Sequence, residues 1–248
     1  MPVNTEHRKR QDSLISAEEN RAMFDRIAGY YDGTNKILSL GLDGFWRRRA
    51  VRSLSPHAGG QYLDVGCGTG DVSIEILRQA PGSTVVGIDP SDKMVGIGRD
   101  KVNEADLTGS ISLGIGDVRD LDFPDNSFDG AITSFCIRNV TDRRQGLAEI
   151  CRVVRPGGLL VILELTEPSG PFMKPLFKIY ANVIMPIVTK VMSSVSAYRY
   201  LSDSMAHFPR AETFLDLMAE AGFVGTRHTQ MTGGIVTLFA GQVPSGQS

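Results

Sequence analysis

Cysteine is scarce: three residues, at positions 67, 136 and 151, an odd number with no close spacing. That excludes a disulfide framework and the paired ligands of a structural metal site, and it fits reduced thiols. A dominant charge is also missing. Lys and Arg number 26 against 28 Asp and Glu, and a formal charge of −2 gives no electrostatic reason to expect nucleic acid as a partner. No run of about 18 uninterrupted apolar residues occurs, so a membrane-spanning helix is not expected. The opening stretch MPVNTEHRKRQDSL lacks the apolar middle of a secretory signal. Internal repeats and low-complexity runs are absent too. The expected location is cytoplasmic, which leaves room for peripheral contact at the inner face of a membrane.

What is present is an alternation. From Gln61 onward, near-continuous apolar runs at 61–65, 84–89, 110–116, 128–135 and 159–166 read as strands. Helical stretches at 71–80, 91–104 and 143–154 lie between them, and a further helix is expected over 211–223. Apolar strands separated by helices imply a doubly wound, mostly parallel α/β sheet covered on both faces. Two more strand-like runs, VGTRHTQM and GGIVTLFAG, meet at Thr232-Gly233-Gly234 and predict an antiparallel C-terminal hairpin. That makes seven strands in a Rossmann-like order. Before the sheet, residues 19–58 read as a cap of short helices interrupted by Gly29, Gly33, Gly41 and Gly44. Residues 1–18 and 241–248 are expected to be flexible tails, and 168–208 an insertion into a domain spanning 59–240.

Chemistry concentrates where the first strand ends, in Leu63-Asp64-Val65-Gly66-Cys67-Gly68-Thr69-Gly70-Asp71. Glycines there let the chain turn sharply and let a ligand come close. Asp89 closes the second strand about 20 residues later, placed to accept from both hydroxyls of an adenosine ribose. The spacing is G-x-G-x-G rather than the G-x-G-x-x-G of a dinucleotide fold. Asp71 at the helix mouth would repel a pyrophosphate, so S-adenosylmethionine is favoured over a nicotinamide cofactor. Asp64 is placed to pair with that ligand's ammonium or to hold the loop amides, beside Gly66 and Gly68. Asp117 and Val118 follow the third strand, where an acid and the next amide can read adenine. Asp129 reads as structural. In this order the features match the core of class I methyltransferases.

Four further stretches carry a closer resemblance. They are Phe24-Asp25-Arg26-Ile27-Ala28 running into Tyr31-Asp32, Asn35, Leu38-Ser39, Gly41 and Trp46; Ser134 through Asp142 (SFCIRNVTD); Glu149 with Arg152 through Gly158 (RVVRPGG); and Ala197 through Leu201 (AYRYL) followed by Phe208-Pro209. Together they resemble the demethylmenaquinone and polyprenyl-benzoquinol C-methyltransferases over about residues 20–240. Departures are Thr34, Asp43, Cys67 and the Ser193–Ser196 stretch. The resemblance implies S-adenosylmethionine held by Thr69, Asp89, Asp117, Val118 and Ser134, and a prenylated quinol methylated at a ring carbon.

A quinol carbon becomes nucleophilic when a neighbouring hydroxyl, titrating near 10, loses its proton. Arg138 and Asn139, just past strand four, are placed to stabilise the phenolate and orient its oxygen. The structural alternative for Arg138 is an ion pair with an acid such as Asp142. Tyr31 is placed to fold over the donor and touch the acceptor, and Asp32 is a candidate base. His207 and His228 stand alone and read as structural; no metal ligand set is expected. The stretch 170–201, rich in Phe, Met, Ile and Val with Lys174, Lys178 and Lys190, and broken by Pro175 and Pro186, reads as an apolar acceptor lid at a membrane surface. Packing on the core or a homo-oligomer contact are its alternatives. Other readings for the whole chain are a methyltransferase of another lipid or small phenol, a nicotinamide oxidoreductase, and a non-catalytic donor-binding protein.

Overall fold

The computed structural model describes residues 16–168, 170, 173–180 and 195–245. The N-terminal cap starts with α1 (Ala17–Ile27). Ser16 and Glu19 form a reciprocal capping box that satisfies two otherwise orphaned amides. A single 3₁₀ turn, Ala28–Tyr30, leads into α2 (Tyr31–Leu38) and then α3 (Asp43–Leu54). Gly33 and Gly44, expected to interrupt this region, lie inside helices. The breaks fall at the 3₁₀ turn and at Gly41, whose φ of 76° only glycine adopts freely.

The sheet comprises β1 (Gln61–Val65), β2 (Thr84–Asp89), β3 (Ile111–Ile115), β4 (Phe128–Ser134), β5 (Val154–Leu165), β6 (Val224–Met231) and β7 (Val236–Gln242). Their spatial order is β3-β2-β1-β4-β5-β7-β6, with β7 antiparallel to both neighbours and the other pairings parallel. The order reverses beside β1, and that reversal opens a crevice at the carboxyl ends of β1, β2 and β4. β5 starts five residues earlier than its apolar run suggests, because Val154 already pairs with Phe128 before a register shift.

Period-two alternation splits the core into two layers. Tyr62, Val161 and Leu163 face α3, α4 (Asp71–Gln79) and α5 (Asp92–Glu104). Leu63, Leu160 and Ile162 face α6 (Arg143–Val153) and α9 (Ala211–Glu220). α3 belongs to the core, since Trp46, Ala50, Val51 and Leu54 are buried along one side and the Trp46 indole donates to Thr232 at 2.8 Å. The chain after Gly241 does not fray at once. Val243 is buried and exchanges backbone hydrogen bonds with Gly157 and Gly158 at 2.9 Å.

The insertion contributes α7 (Met173–Ile179), with Pro175 tolerated in its first turn, and α8 (Val195–Ala206), which carries the AYRYL stretch. Pro186, Lys190 and Ser193–Ser194 lie outside the described residues.

Candidate functional site

The three loop glycines each take a left-handed conformation, with φ of 70° at Gly66, 52° at Gly68 and 81° at Gly70. At Gly66 a Cβ would sit 2.3 Å from the Cys136 sulfur, so no other residue fits there. The turn brings the Gly68 amide to Asp89 Oδ2 at 3.0 Å, while the Ser91 amide donates to Oδ1 at 2.9 Å. Each Asp89 oxygen keeps acceptor capacity. Burial nevertheless pushes this carboxyl up to about 6.

Gly66, Gly68, Asp89, Asp117, Val118, Ser134 and Asn139 line one cavity at the carboxyl edge of the sheet. The Ser134 Oγ is buried without a hydrogen-bond partner among the described residues. Asp117 is engaged by the Arg119 guanidinium, at 2.6 Å to Oδ2 and 3.0 Å to Oδ1, and that hydrogen bonding holds its carboxyl below the usual range.

Two donor-side expectations are redirected. Asp64 lies beneath the loop rather than on the cavity wall; it accepts from Ser73 Oγ at 2.7 Å and bonds no loop amide. Burial pushes it up to about 7. Thr69 is buried and does not line the cavity either. Its hydroxyl donates to Asp32 at 2.8 Å and accepts from Lys101 at 3.0 Å. Asp32, expected as a base, pairs with Lys101 at 2.6 Å and lines neither cavity. Lys101 also reaches Asp71 at 2.8 Å, and Arg47 reaches it at 3.1 Å. Two cations therefore offset the repulsion expected of Asp71.

A second, mostly apolar cleft of about 1120 Å³, partly open to solvent, lies under the cap. Met23, Ile27, Trp46, Leu165 and Ile235 form its walls, and Phe177, Tyr180, Tyr200 and Leu201 of the insertion border it. Phe24, Tyr31 and Phe135 line both cavities, so they form the partition between them. Tyr31 packs edge-on against Phe24 at 6.0 Å. Burial raises its phenol, opposed by the charge of Arg138 and a hydrogen bond with Asn35.

Arg138 sits on the 3₁₀ turn Ile137–Asn139 after β4 and lines this second cleft. Its partner is not Asp142, which caps α6 by accepting from the Gln145 amide at 3.0 Å. The partner is Glu164 on β5, at 2.7 Å, and the guanidinium also donates to the Phe135 carbonyl. Its Nε is buried with no partner among the described residues. Burial works against the charge, but Glu164 and Tyr31 more than offset it and the guanidinium is raised.

Asn139 lies on the other side, in the wall of the first cavity. Its Oδ1 accepts from Tyr200 Oη at 3.1 Å, which in turn accepts from Asn20 Nδ2 at 2.5 Å. Asn139 thus joins the insertion to α1 rather than reaching into the apolar cleft. His207 and His228 line neither cavity: His207 leans on the Asp203 carbonyl and His228 on the Phe239 ring. Asp129 is tied to Arg155 and to the Gln61 amide. Cys67 is buried, and Cys136 and Cys151 are half-buried.

Sequence reading missed Glu164, Lys101 and Asn20, and met Tyr200 only as part of AYRYL. Glu164 had left a signal: a lone acid in the apolar run VILEL can persist inside a sheet only with a partner.

Comparisons with known proteins identify the family and the fold. The profile of the ubiE/COQ5 methyltransferase family matches residues 13–242. The ubiquinone/menaquinone biosynthesis C-methyltransferase UbiE of Geobacter sulfurreducens is 44% identical over 226 residues, 91% of this chain and 88% of that protein. The demethylmenaquinone methyltransferase of Bacteroides fragilis is 40% identical, covering 90% of this chain and 91% of its own. Among solved structures, a Thermotoga maritima protein described as a SAM-dependent methyltransferase, possible histamine N-methyltransferase, superposes with a TM-score of 0.63 at 20% identity, over 90% of this chain and 98% of its own. Phosphoethanolamine N-methyltransferase 2 of Haemonchus contortus, in complex with S-adenosyl-L-methionine, gives 0.62 at 17%, over 80% of this chain and 52% of its own. At these identities the structures speak for the fold.

Proposed function

The chain belongs to the ubiE/COQ5 methyltransferase family, and we propose that it transfers a methyl group from S-adenosylmethionine to a ring carbon of a prenylated quinol. One observation carries the reading: a buried, charged Arg138 in the wall of an apolar cleft that, among the described residues, shares Phe24, Tyr31 and Phe135 as a partition with the glycine-loop cavity. A lipid or phenol of another kind is the second reading, and no feature of the cleft favours it over a quinol.

The glycine-loop cavity suits the donor. Asp89 keeps lone pairs for two ribose hydroxyls, and the unpaired Ser134 Oγ offers a hydrogen bond inside the same wall. Gly66 and Gly68 let a ligand lie against the backbone, and Asp117 with Val118 borders the adenine end. When bound, S-adenosylmethionine supplies an electrophilic methyl on a sulfonium. The protein's own part is alignment across the partition, which is worth several kcal/mol in an in-line transfer. It also stabilises charge: Arg138 sits where a phenolate oxygen would gain from a fixed cation in a water-poor site. The quinol would give its hydroxyl proton to water before transfer; after it, the methylated ring carbon would give its own proton to water and the oxygen would be reprotonated. Tyr31 closes the site from the cap side.

Phe177, Tyr180 and Leu201 make the insertion the acceptor lid in this reading, with the tail leaving between the lid and α2. A prenyl tail brings the enzyme to a membrane surface. Among the described residues no helix is long and apolar enough to cross one. The test is transfer of labelled methyl to demethylated naphthoquinols and benzoquinols, beside an Arg138→Ala variant. The variant should bind donor normally and lose about 10²–10³ in turnover. Wild-type protein that binds donor yet methylates neither quinol would defeat the proposal.

A further inference from the structure

We propose that the outer face of α2, α3 and the turn joining them is the surface on which this protein rests against an anionic lipid bilayer. The inference builds on the prenylated acceptor above, but the surface argues for itself. Folding leaves Ile37 at 52%, Leu40 at 77% and Phe45 at 47% exposed, with Leu42 also exposed, within nine residues of chain. Leu40 takes a left-handed φ of 53°, which disfavours a residue bearing a Cβ, and it projects from the turn with no core contact to repay that. Isolated exposed apolar residues are ordinary; a cluster at a corner is not.

Charge selects the occupant. The inner side of α3 is buried through Trp46, Ala50, Val51 and Leu54. Its outer side, at helical spacing from Phe45, carries Arg48, Arg49 and Arg52, all exposed. From Gly33 to Arg52 the sequence holds five Lys and Arg and a single acid, Asp43, which Arg47 occupies at 2.7 Å. What faces outward is therefore Lys36 and three arginines around apolar tips, with no exposed acid from this segment. The insertion extends the patch. Tyr180 donates to the Leu38 carbonyl, drawing α7 beside the turn, and α7 exposes Leu176, Ile179 and Lys174.

Short apolar side chains ringed by cations match the headgroup boundary of an anionic leaflet, where the tips enter and the cations meet phosphates. A second copy of the chain fits poorly, because a two-fold contact would press the same four cations against each other. Position agrees as well. Leu38 and Ser39 line the acceptor cleft, while their neighbours Ile37 and Leu40 are exposed, so the patch rims the mouth through which a tail would pass.

The experiment is sedimentation of the full chain with phosphatidylcholine vesicles, with and without phosphatidylglycerol. Wild type should bind the anionic vesicles and be released by salt. Ile37→Ser/Leu40→Ser/Phe45→Ser should weaken binding about tenfold or more, and Arg48→Gln/Arg49→Gln/Arg52→Gln should erase the preference for anionic lipid. Ile115→Ser/Val224→Ser, which removes exposed apolar residues elsewhere on the sheet, should leave binding unchanged. Turnover of a short-tailed, water-soluble quinol should be equal in all of them. That arm reads the quinol assignment separately from the surface. Wild type that stays in the supernatant, a control variant as impaired as the apolar one, or patch variants that only dissociate an oligomer would each overturn the proposal.

Discussion

Glu164 and Arg138 pair at 2.7 Å with side chains 0% and 6% exposed, and the same carboxylate also accepts the Arg138 amide at 3.1 Å and the Leu165 amide at 2.9 Å. An acid on an interior strand thus fixes both the backbone and the guanidinium of the turn that follows β4. Desolvating two charges costs about as much as their attraction returns, so the pair adds little stability over apolar side chains of equal volume. What it secures is a cation at a defined point in an apolar wall.

Removing one member should therefore be worse than removing both. Glu164→Ala is expected to cost about 3–5 kcal/mol of stability, because Arg138 is left buried and uncompensated. Glu164→Leu combined with Arg138→Met should recover most of that loss and remain inactive. Urea unfolding of the single and double variants, with turnover measured on each, separates the two effects. A cost below about 1 kcal/mol for the single variant would mean the pair is not desolvated as described.

As the proposed ribose acceptor, Asp89 would link donor binding to pH. Its carboxyl is pushed up to about 6 by burial, and a ligand that donates two hydroxyls prefers the ionised form. Donor affinity should be level above pH 7 and fall about tenfold per unit below 6, since a proton must then be released on binding. Asp89→Asn should bind weakly with no such slope. Calorimetric titration of donor from pH 5 to 8 reads this directly, and a flat profile in the wild type would remove Asp89 from the ribose site.

Asp64 makes a separate statement about folding. Burial pushes it up to about 7, against about 3.9 for an unfolded aspartate. Between those values the folded state holds more protons than the unfolded one. Stability contributed by this group is therefore greatest at low pH and declines as pH rises from about 4 to 7. Asp89 acts in the same direction up to about 6. Asp64→Asn should flatten the decline and gain a few kcal/mol at pH 8 relative to wild type. Parallel pH profiles for the two proteins would show that Asp64 ionises freely.

The alternation of apolar strand and helix is a local pattern, so the sheet, its hairpin and the glycine loop are legible in the amino-acid sequence by itself. The position of Asp89 in the cavity wall is legible for the same reason, since it ends a strand and strand ends define the crevice; Ser134, in the same wall, is named only through the family resemblance. Partners are not legible. Sequence proximity matches Arg138 to Asp142, four residues away, whereas its partner is 26 residues distant on the neighbouring strand, a distance that only sheet order brings together. Thr69 reads as a ligand only through the family resemblance, and Asp32 as a base because its chemistry allows it. Which way each side chain turns depends on Lys101, a helix residue with no signature of its own. Composition alone points to 170–201 for a membrane contact. The exposed apolar cluster of the structure lies chiefly at Ile37, Leu40 and Phe45, whose exposure depends on which side of α2 and α3 the core claims.

Lys101 gives the last test. Its ammonium joins Asp32 on α2 at 2.6 Å, Asp71 on α4 at 2.8 Å and the Thr69 hydroxyl at 3.0 Å. Burial works against the charge, but the hydrogen bonds to the two carboxylates prevail and the amine is raised. An isolated pair this exposed would be worth little, but a cation shared by two acids and a buried hydroxyl forms a network. Lys101→Met leaves Asp32 and Asp71 with one fewer cation and loosens the tie of α2, and with it Tyr31, to the glycine loop, while the Thr69–Asp32 hydrogen bond stays. Donor affinity should fall roughly 5–30-fold, about 1–2 kcal/mol, while turnover at saturating donor changes little. Asp32→Asn should give a similar loss, and the double variant less than the sum of the two. The effect should shrink as salt is raised, since the group is partly exposed. Strict additivity would instead mean that each residue acts on the donor separately and that the cap is held by its packing alone.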